Sequence, residues 1–333
     1  MIHLHTLVGG RVTTLRPMLE HYRSIGVQSF LVNVHLTSTE DPLLDEVQAI
    51  TNDFGVPIAS VVYGNWQELI IQTYAKSRNL YPNDWHILAD QDEFHTFPYA
   101  LPELEDRCNK GGYHYVNGCW VDRIAADGGF PEVDPKRSMW EQFPVGTFFS
   151  YPVAAADPRK VVLTRSGVNL AKGQHFATNA KGCPVAEAFA QVHHFKWVAG
   201  IVPTLEARAE FLRAGGYTQH IESSRFLKHF KDNKGHINVS DPRILAAKCA
   251  QDYPHIPLIQ KWLILLSDFL DVGKQLIPGP SNLASNPAEI VRQAGKLFAN
   301  IQVGTDGQPY QKNEEQPFFH FEPLRLIWLN SRY

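Results

Sequence analysis

A chain of 333 residues that is 44% hydrophobic and 20% charged can bury a large core in one or two domains, which excludes a disordered polypeptide. Lys and Arg number 31 against 34 Asp and Glu, and the formal net charge of −3 excludes a bulk electrostatic attraction to nucleic acid or an anionic membrane. Met1-Ile2-His3-Leu4-His5 lacks the regions of a signal peptide, no apolar run approaches the roughly 20 residues that span a bilayer, and Cys108, Cys119, Cys183 and Cys249 are too scattered for a zinc site, so a cytoplasmic protein with reduced thiols is expected.

The first hundred residues alternate strand and helix patterns, which predicts a parallel sheet with helices on its faces. Ile2 to Val8 reads as the first strand, followed by the turn Gly9-Gly10-Arg11. Thr13 or Thr14 caps a helix whose apolar positions Leu15, Met18, Leu19, Tyr22 and Ile25 have helical spacing, and Gly26 stops it. Ser29 to Leu36 is the second strand, and Leu43, Leu44, Val47 and Ile50 mark a helix ending at Gly55. Pro57 to Tyr63 is the third strand, and Asn65 caps a helix carrying Leu69, Ile70, Thr73 and Tyr74 inward and ending on Lys76 and Arg78. Those two cations either favour the helix dipole or contact an anion in a pocket.

His86-Ile87-Leu88-Ala89-Asp90-Gln91-Asp92-Glu93-Phe94-His95 then runs from a buried strand into three carboxylates. Strand ends in open α/β sheets are where ligands bind. In an extended segment Asp90 and Asp92 point the same way, and like charges that close call for a hard divalent cation, Mn²⁺ or Mg²⁺, shared with a substrate's phosphates.

From Gly112 to Arg123 aromatic and polar residues alternate as in a strand lining a cleft, with Trp120, Asp122 and Arg123 near its end. Asp127 to Pro144 reads as a loop, Lys160 to Thr164 and Val168 to Leu170 as a strand or hairpin, and Gln191 to Trp197 as a closing strand. Beyond Val202 the pattern is helical, at Leu205, Ala209 and Leu212 and again at Ile259, Leu263, Leu266 and Leu270, with a proline-rich loop from Ile277 to Pro287.

Three strand and helix pairs followed by a fourth strand ending in Asp90-Gln91-Asp92-Glu93-Phe94, with His193-His194-Phe195-Lys196-Trp197 later, resemble family 2 glycosyltransferases, particularly a branch related to family 92. The resemblance implies an α/β GT-A fold: a Rossmann-like, nucleotide-sugar-binding mixed sheet flanked by helices. It implies a catalytic domain over residues 1–200, and the helical spacing beyond it is read as a helical C-terminal extension over 201–333. The implied activity is metal-dependent transfer of a sugar from a UDP- or GDP-sugar donor to a glycan or other hydroxyl acceptor, with inversion. Relatives carry Arg-Asn-Glu or Lys-Asn-Glu after the first strand, where this chain has Val8-Gly9-Gly10-Arg11.

The resemblance places the metal on Asp90, Asp92 and His194. It places the donor base near Val8, Gly9, Asn33 and Asn65, and the donor is further expected against Arg78, Asp90, Gln91 and Lys196. Trp120, Arg123, His175 and Trp197 are the candidates for the sugar and acceptor, since aromatic faces match the C–H surface of a pyranose. For catalysis Glu93 is expected to brace the site, and Asp122 and Glu187 compete as the base an inverting transferase requires. The same acids also suit a metal-dependent phosphoesterase or glycosidase, and the altered first turn suits a non-catalytic carbohydrate-binding protein.

Overall fold

The computed structural model describes residues 1–147, 149–154, 156, 159–184 and 187–241, together with short strand segments at 247–248, 301–303, 309–311 and 314–317. The segments expected as a late helix, around Ile259 to Leu270, and as a proline-rich loop, Ile277 to Pro287, lie outside the described residues.

In chain order the elements are β1 (Ile2–Val8), α1 (Leu15–Ser24), β2 (Ser29–Leu36), α2 (Leu43–Phe54), β3 (Ile58–Tyr63), α3 (Trp66–Arg78), β4 (Trp85–Leu88), β5 (Glu93–Thr96), α4 (Leu101–Gly111) and β6 (Tyr115–Ile124). There follow α5 (Met139–Gln142), β7 (Val145–Thr147), α6 (Ser150–Ala154), β8 (Arg159–Arg165), β9 (Ala190–His194), α7 (Ile201–Ala214), α8 (His220–Asp232) and β10 (Ala247–Lys248). Three later segments, 301–303, 309–311 and 314–317, pair as a small antiparallel sheet. Among the described residues no helix is long and apolar enough to cross a membrane.

The main sheet is mixed. Its path runs β10-β7-β6-β8-β4-β1-β2-β3, with β9 beside β6 and β5 beside β9. Strands β1 to β4 are parallel, β8 runs against β4, and β6 runs against β8 and so parallel to β4. Because β9 is parallel to β6, the C-terminal ends of β1, β4, β6 and β9 all lie along one edge. The expected α/β class, a mixed sheet flanked by helices, is thus what the chain adopts.

The physical causes are local. Every residue of β1 is buried, as a strand covered on both faces requires. Leu15, Met18, Leu19 and Tyr22 present one buried stripe of α1, and Gly55 closes α2 in the left-handed conformation a helix C-cap favours. The helix α4, between the acidic segment and β6, is absent from the sequence expectations. The anticipated strand at Val168 to Leu170 reduces to a single bridge between Leu170 and Ala177. Helices α7 and α8 bury Ile201, Leu205, Phe226 and Phe230 in one cluster with Ile124, Phe149 and Trp197 of the sheet half.

Candidate active site

The acidic segment is a turn between two strands, which corrects the extended geometry expected of it. The Glu93 N–H donates to the Asp90 carbonyl at 2.9 Å, and the chain leaves β4 to enter β5 beside β9. Asp90 and Asp92 therefore diverge toward different partners.

Asp90 faces β8. Its Oδ2 lies 3.5 Å from the Lys160 ammonium, and Lys160 also reaches Glu93 Oε1 at 2.9 Å. Lys160 and Glu93 are 2% and 0% exposed, whereas Asp90 retains 32% of its side-chain surface. Burial pushes the Asp90 carboxyl up to about 6, against the pull of Lys160. Burial would raise Glu93 too, but Lys160 and the neighbouring histidines hold it well below the usual carboxylate range. The same acids raise Lys160 despite its burial. Trp120 completes the group: its indole N–H donates to Glu93 Oε1 at 2.7 Å and its ring lies 5.3 Å from the Lys160 ammonium.

Asp92 faces β9. His194 Nε2 lies 3.7 Å from Asp92 Oδ2, while His194 Nδ1 lies 3.2 Å from Asp122 Oδ1. Asp122 is fully buried on β6 and accepts from Ser150 N at 2.8 Å, Ser150 Oγ at 2.8 Å and the Trp197 indole at 2.9 Å. Burial opposes its charge, but His194 and these donors hold its pKa below the ordinary aspartate value, so the carboxylate is ionised and Nδ1 must donate to it. A histidine whose Nδ1–H is fixed by a carboxylate presents Nε2 outward, the arrangement that orients metal-ligating imidazoles. Burial lowers the His194 pKa but Asp92 and Asp122 outweigh it, leaving it raised. Trp120 stacks on the ring at 4.6 Å and 11°, fixing its plane.

The strand ends carry further groups to this edge. Gln91 donates through Nε2 to the Arg11 carbonyl, and Arg11 donates to the carbonyls of Lys196 at 3.1 Å and Ala199 at 3.2 Å. Gln91 thus ties the turn after β1 to the acidic turn rather than facing outward. Val8 is buried at the end of β1, and Gly9 packs so closely on Trp66 that an added Cβ would come within 2.7 Å of its ring. Asn65 Nδ2 donates to Tyr217 Oη at 2.7 Å, joining the start of α3 to the turn between α7 and α8. Lys196 lies 5.2 Å over the Trp197 ring and 5.1 Å over Phe226, and its pKa is lowered by burial against the pull of Glu222. His175 donates from Nδ1 to the Arg159 carbonyl at 2.8 Å and meets Trp120 edge-on.

Five expectations are corrected. Asn33 spends its amide inside the sheet: Nδ2 donates to the carbonyls of Thr6 and Leu31, and Oδ1 accepts from Ser60 and Ser77. Arg78 donates to the carbonyls of Arg165 and Val168 beside the start of β4, at the opposite edge. Arg123 alternates with Asp122 onto the other face, where it donates to the Phe143 carbonyl and lies 5.0 Å over Trp140. Trp197 is 0% exposed and belongs to the core, so it offers no face to a sugar. Glu187 precedes β9 at its N-terminal end and accepts from Tyr113 Oη at 2.6 Å, the full length of the strand away from His194.

Lys160, Ser150, Arg208 and Glu222 were not singled out in the sequence. Arg208 Nη1 pairs with Glu222 Oε1 at 3.1 Å, and Glu222 in turn stabilises the charge on Lys196. Among the described residues no group of three or more His, Cys, Asp or Glu side chains is placed to hold a metal ion. A cavity of about 500 Å³ under the loop after β6, lined by Asp127, Phe130, Arg137 and His236, includes neither Asp90 nor Asp92.

No family model matches the chain, and no curated protein matches it either. Among solved structures, residues 1–349 of S. aureus TarS in complex with UDP-GlcNAc are 12% identical, with a TM-score of 0.31 over 95% of this chain and 97% of that one. GalNAc-T7 with UDP, GalNAc and Mn²⁺ is 11% identical, with a TM-score of 0.32 over 70% of this chain and 54% of that one. HddC from Yersinia pseudotuberculosis is 12% identical, with a TM-score of 0.25, and this chain spans 66% of its length. At these scores the likenesses carry no assignment of function.

Proposed function

We propose that the chain is a glycosyltransferase of the GT-A type, transferring a sugar from a nucleotide-sugar donor to a hydroxyl of a glycan or other acceptor with the help of Mn²⁺ or Mg²⁺. The observation that carries this reading is the approach of His194 Nε2 to within 3.7 Å of Asp92 Oδ2, with Asp122 holding the other ring nitrogen. Asp92 and His194 would offer such an ion a carboxylate oxygen and an imidazole nitrogen. Asp90, partly exposed, faces Lys160 and would have to turn from it to join them on the same ion. The chemistry such a cation would supply is neutralisation of charge on the departing diphosphate.

The chain's own residues have separable tasks in this reading. Asp122 orients His194 and, with each oxygen committed to buried donors, is not the base. Lys160 keeps Glu93 ionised, and Glu93 fixes the Trp120 indole that stacks on His194. Lys196, whose charge burial disfavours and Glu222 and Asp92 support, is the cation that would meet an anionic diphosphate. Neither Glu187, at the far edge, nor Asp122 supplies proton abstraction.

Titration calorimetry with UDP and GDP, with and without Mn²⁺, tests the reading. Metal-dependent nucleotide binding in the micromolar to low millimolar range is expected. Absence of heat for both nucleotides at millimolar concentration, with the metal present, removes it.

A further inference from the structure

Two cations flank one carboxylate where the α7–α8 hairpin meets the acidic turn. Phe195 N–H donates to the Asp92 carbonyl at 2.7 Å, so the next residue, Lys196, stands directly beside that turn. Its ammonium lies 5.2 Å over the Trp197 ring and 5.1 Å over the Phe226 ring. Both rings are buried, whereas Lys196 keeps part of its surface. Among the described residues the ammonium makes no hydrogen bond and no ion pair. A cation held by ring faces alone keeps its N–H groups for an anion.

Glu222 stands one turn before Phe226 on the same face of α8. Arg208, from α7, donates through Nη1 to Glu222 Oε1 at 3.1 Å and to Ser223 Oγ at 3.3 Å. The rest of its guanidinium makes no hydrogen bond among the described residues. Arg208 and Glu222 are 33% and 25% exposed, and a part-exposed pair of this kind adds little to stability. Burial would raise the Glu222 carboxyl, but Lys196 and Arg208 outweigh it and hold it below its ordinary value. The hairpin is fixed on either side: Arg11 donates to the Ala199 carbonyl just before α7, and Asn65 donates to the Tyr217 hydroxyl just after it. Helix α7 thereby spans from the turn after β1 to the start of α3, with Arg208 midway.

We propose that Lys196 and Arg208 together bind the diphosphate of the donor, and that Glu222 is its internal stand-in, a carboxylate that neutralises the two cations until phosphate oxygens replace it. The identity of the anion rests on the transferase reading. A guanidinium fork matches phosphate oxygens as it matches a carboxylate, and a diphosphate brings more charge and more acceptors than Glu222, so the exchange runs toward the ligand. Glu222 rejoins Arg208 when the nucleoside diphosphate leaves.

Calorimetric titration of the intact chain, Arg208→Gln, Arg208→Lys and Glu222→Gln tests this with two probes, UDP in the presence of Mn²⁺ and inorganic pyrophosphate without metal. Arg208→Gln is expected to weaken both about tenfold, Arg208→Lys to weaken them less, and Glu222→Gln to tighten both by about threefold to tenfold. The opposite signs decide, since a pair kept only to hold α7 on α8 weakens binding whichever partner is removed. Weaker binding by Glu222→Gln, or unchanged binding by Arg208→Gln, overturns the proposal. Should Arg208→Gln fail to fold, the sign for Glu222→Gln decides alone. A parent chain that binds pyrophosphate but not UDP, with the same two signs, removes the transferase reading and keeps the anion site. A parent that binds UDP beside variants that bind equally removes the proposal alone, and a parent that binds neither probe removes both.

Discussion

Asp122 shows how one buried charge is made affordable and then used. It accepts from the Ser150 backbone and hydroxyl, the Trp197 indole and His194, so its charge is spread over donors contributed by α6, by the segment after β9 and by β9 itself. Truncation to alanine leaves those donors facing a cavity, and Asp122→Ala is expected to lose about 3–5 kcal/mol of stability in urea unfolding. Asp122→Asn keeps the shape and an acceptor oxygen, so it should fold, yet it no longer fixes the His194 tautomer; Mn²⁺ affinity is expected to fall about 10- to 100-fold. Undiminished Mn²⁺ binding by Asp122→Asn would show that His194 is not held for a metal. Lys160 offers the complementary case. Lys160→Met strands the buried Glu93 charge and should cost about 3–5 kcal/mol, whereas adding Glu93→Gln should restore most of it. If the double variant is as unstable as the single, Lys160 acts by packing on Trp120 and not by its charge.

At the scale of elements, the site depends on how closely β6 and β9 run. Gly118 makes that approach possible: a Cβ there would stand 2.8 Å from the Ala190 carbonyl oxygen and 2.9 Å from a Val162 methyl. Gly118 and Ala190 are paired in the same register that sets Asp122 opposite His194. Gly118→Ala is therefore expected to destabilise by about 1–3 kcal/mol and to weaken Mn²⁺ binding by parting the two strands, although it touches no ligand. Full Mn²⁺ affinity in a destabilised Gly118→Ala chain would uncouple the register from the site. Much of this architecture is legible along the chain. Ile2–Val8 and Ser29–Leu36 are bounded by turn residues and buried along their length, so their limits coincide with the expectation. The site is less legible, because its decisive partners are distant in sequence. Lys160 sits in Arg-Lys-Val-Val-Leu-Thr-Arg, which looks like a basic exposed strand until Glu93 is found beside it across the sheet. Asn33 and Arg78 fail as donor contacts for the same reason in reverse, since backbone carbonyls elsewhere in the fold consume them. Trp197 could not be told from a sugar platform without the helices that cover it.

Across the whole molecule the sheet carries an unusual load of buried histidine, and this sets how the fold responds to acid. Burial, with His3 and Arg78 nearby, lowers His86 from 6.5 to about 4, and burial lowers His21 from 6.5 to about 4. Burial also holds His5 and His193 well below 6.5 and lowers His95. All of these are neutral in the fold, while the unfolded chain binds their protons near 6.5. The unfolded state therefore holds more protons as pH falls, and the stability present above 6.5 is lost progressively toward 4. His86 alone corresponds to a loss on the order of 3 kcal/mol over that window. His194 has the opposite sign, since its raised pKa adds stability at low pH that is lost as pH rises through its folded value. Asp90, pushed up to about 6, has the same sign, so two groups stand against several. Asp122 and Glu93, with lowered values, lose their contributions only below the ordinary carboxylate range and so act after the histidines. Urea unfolding at pH 7.5, 5.5 and 4.5 is expected to give steadily falling midpoints, and His86→Gln, which removes one titrating ring, should flatten the slope. Equal stability at pH 7.5 and 4.5 would mean that the unfolded chain gains no protons over the fold in this range, and that the buried rings of β1, β4 and β9 are charged in the native state.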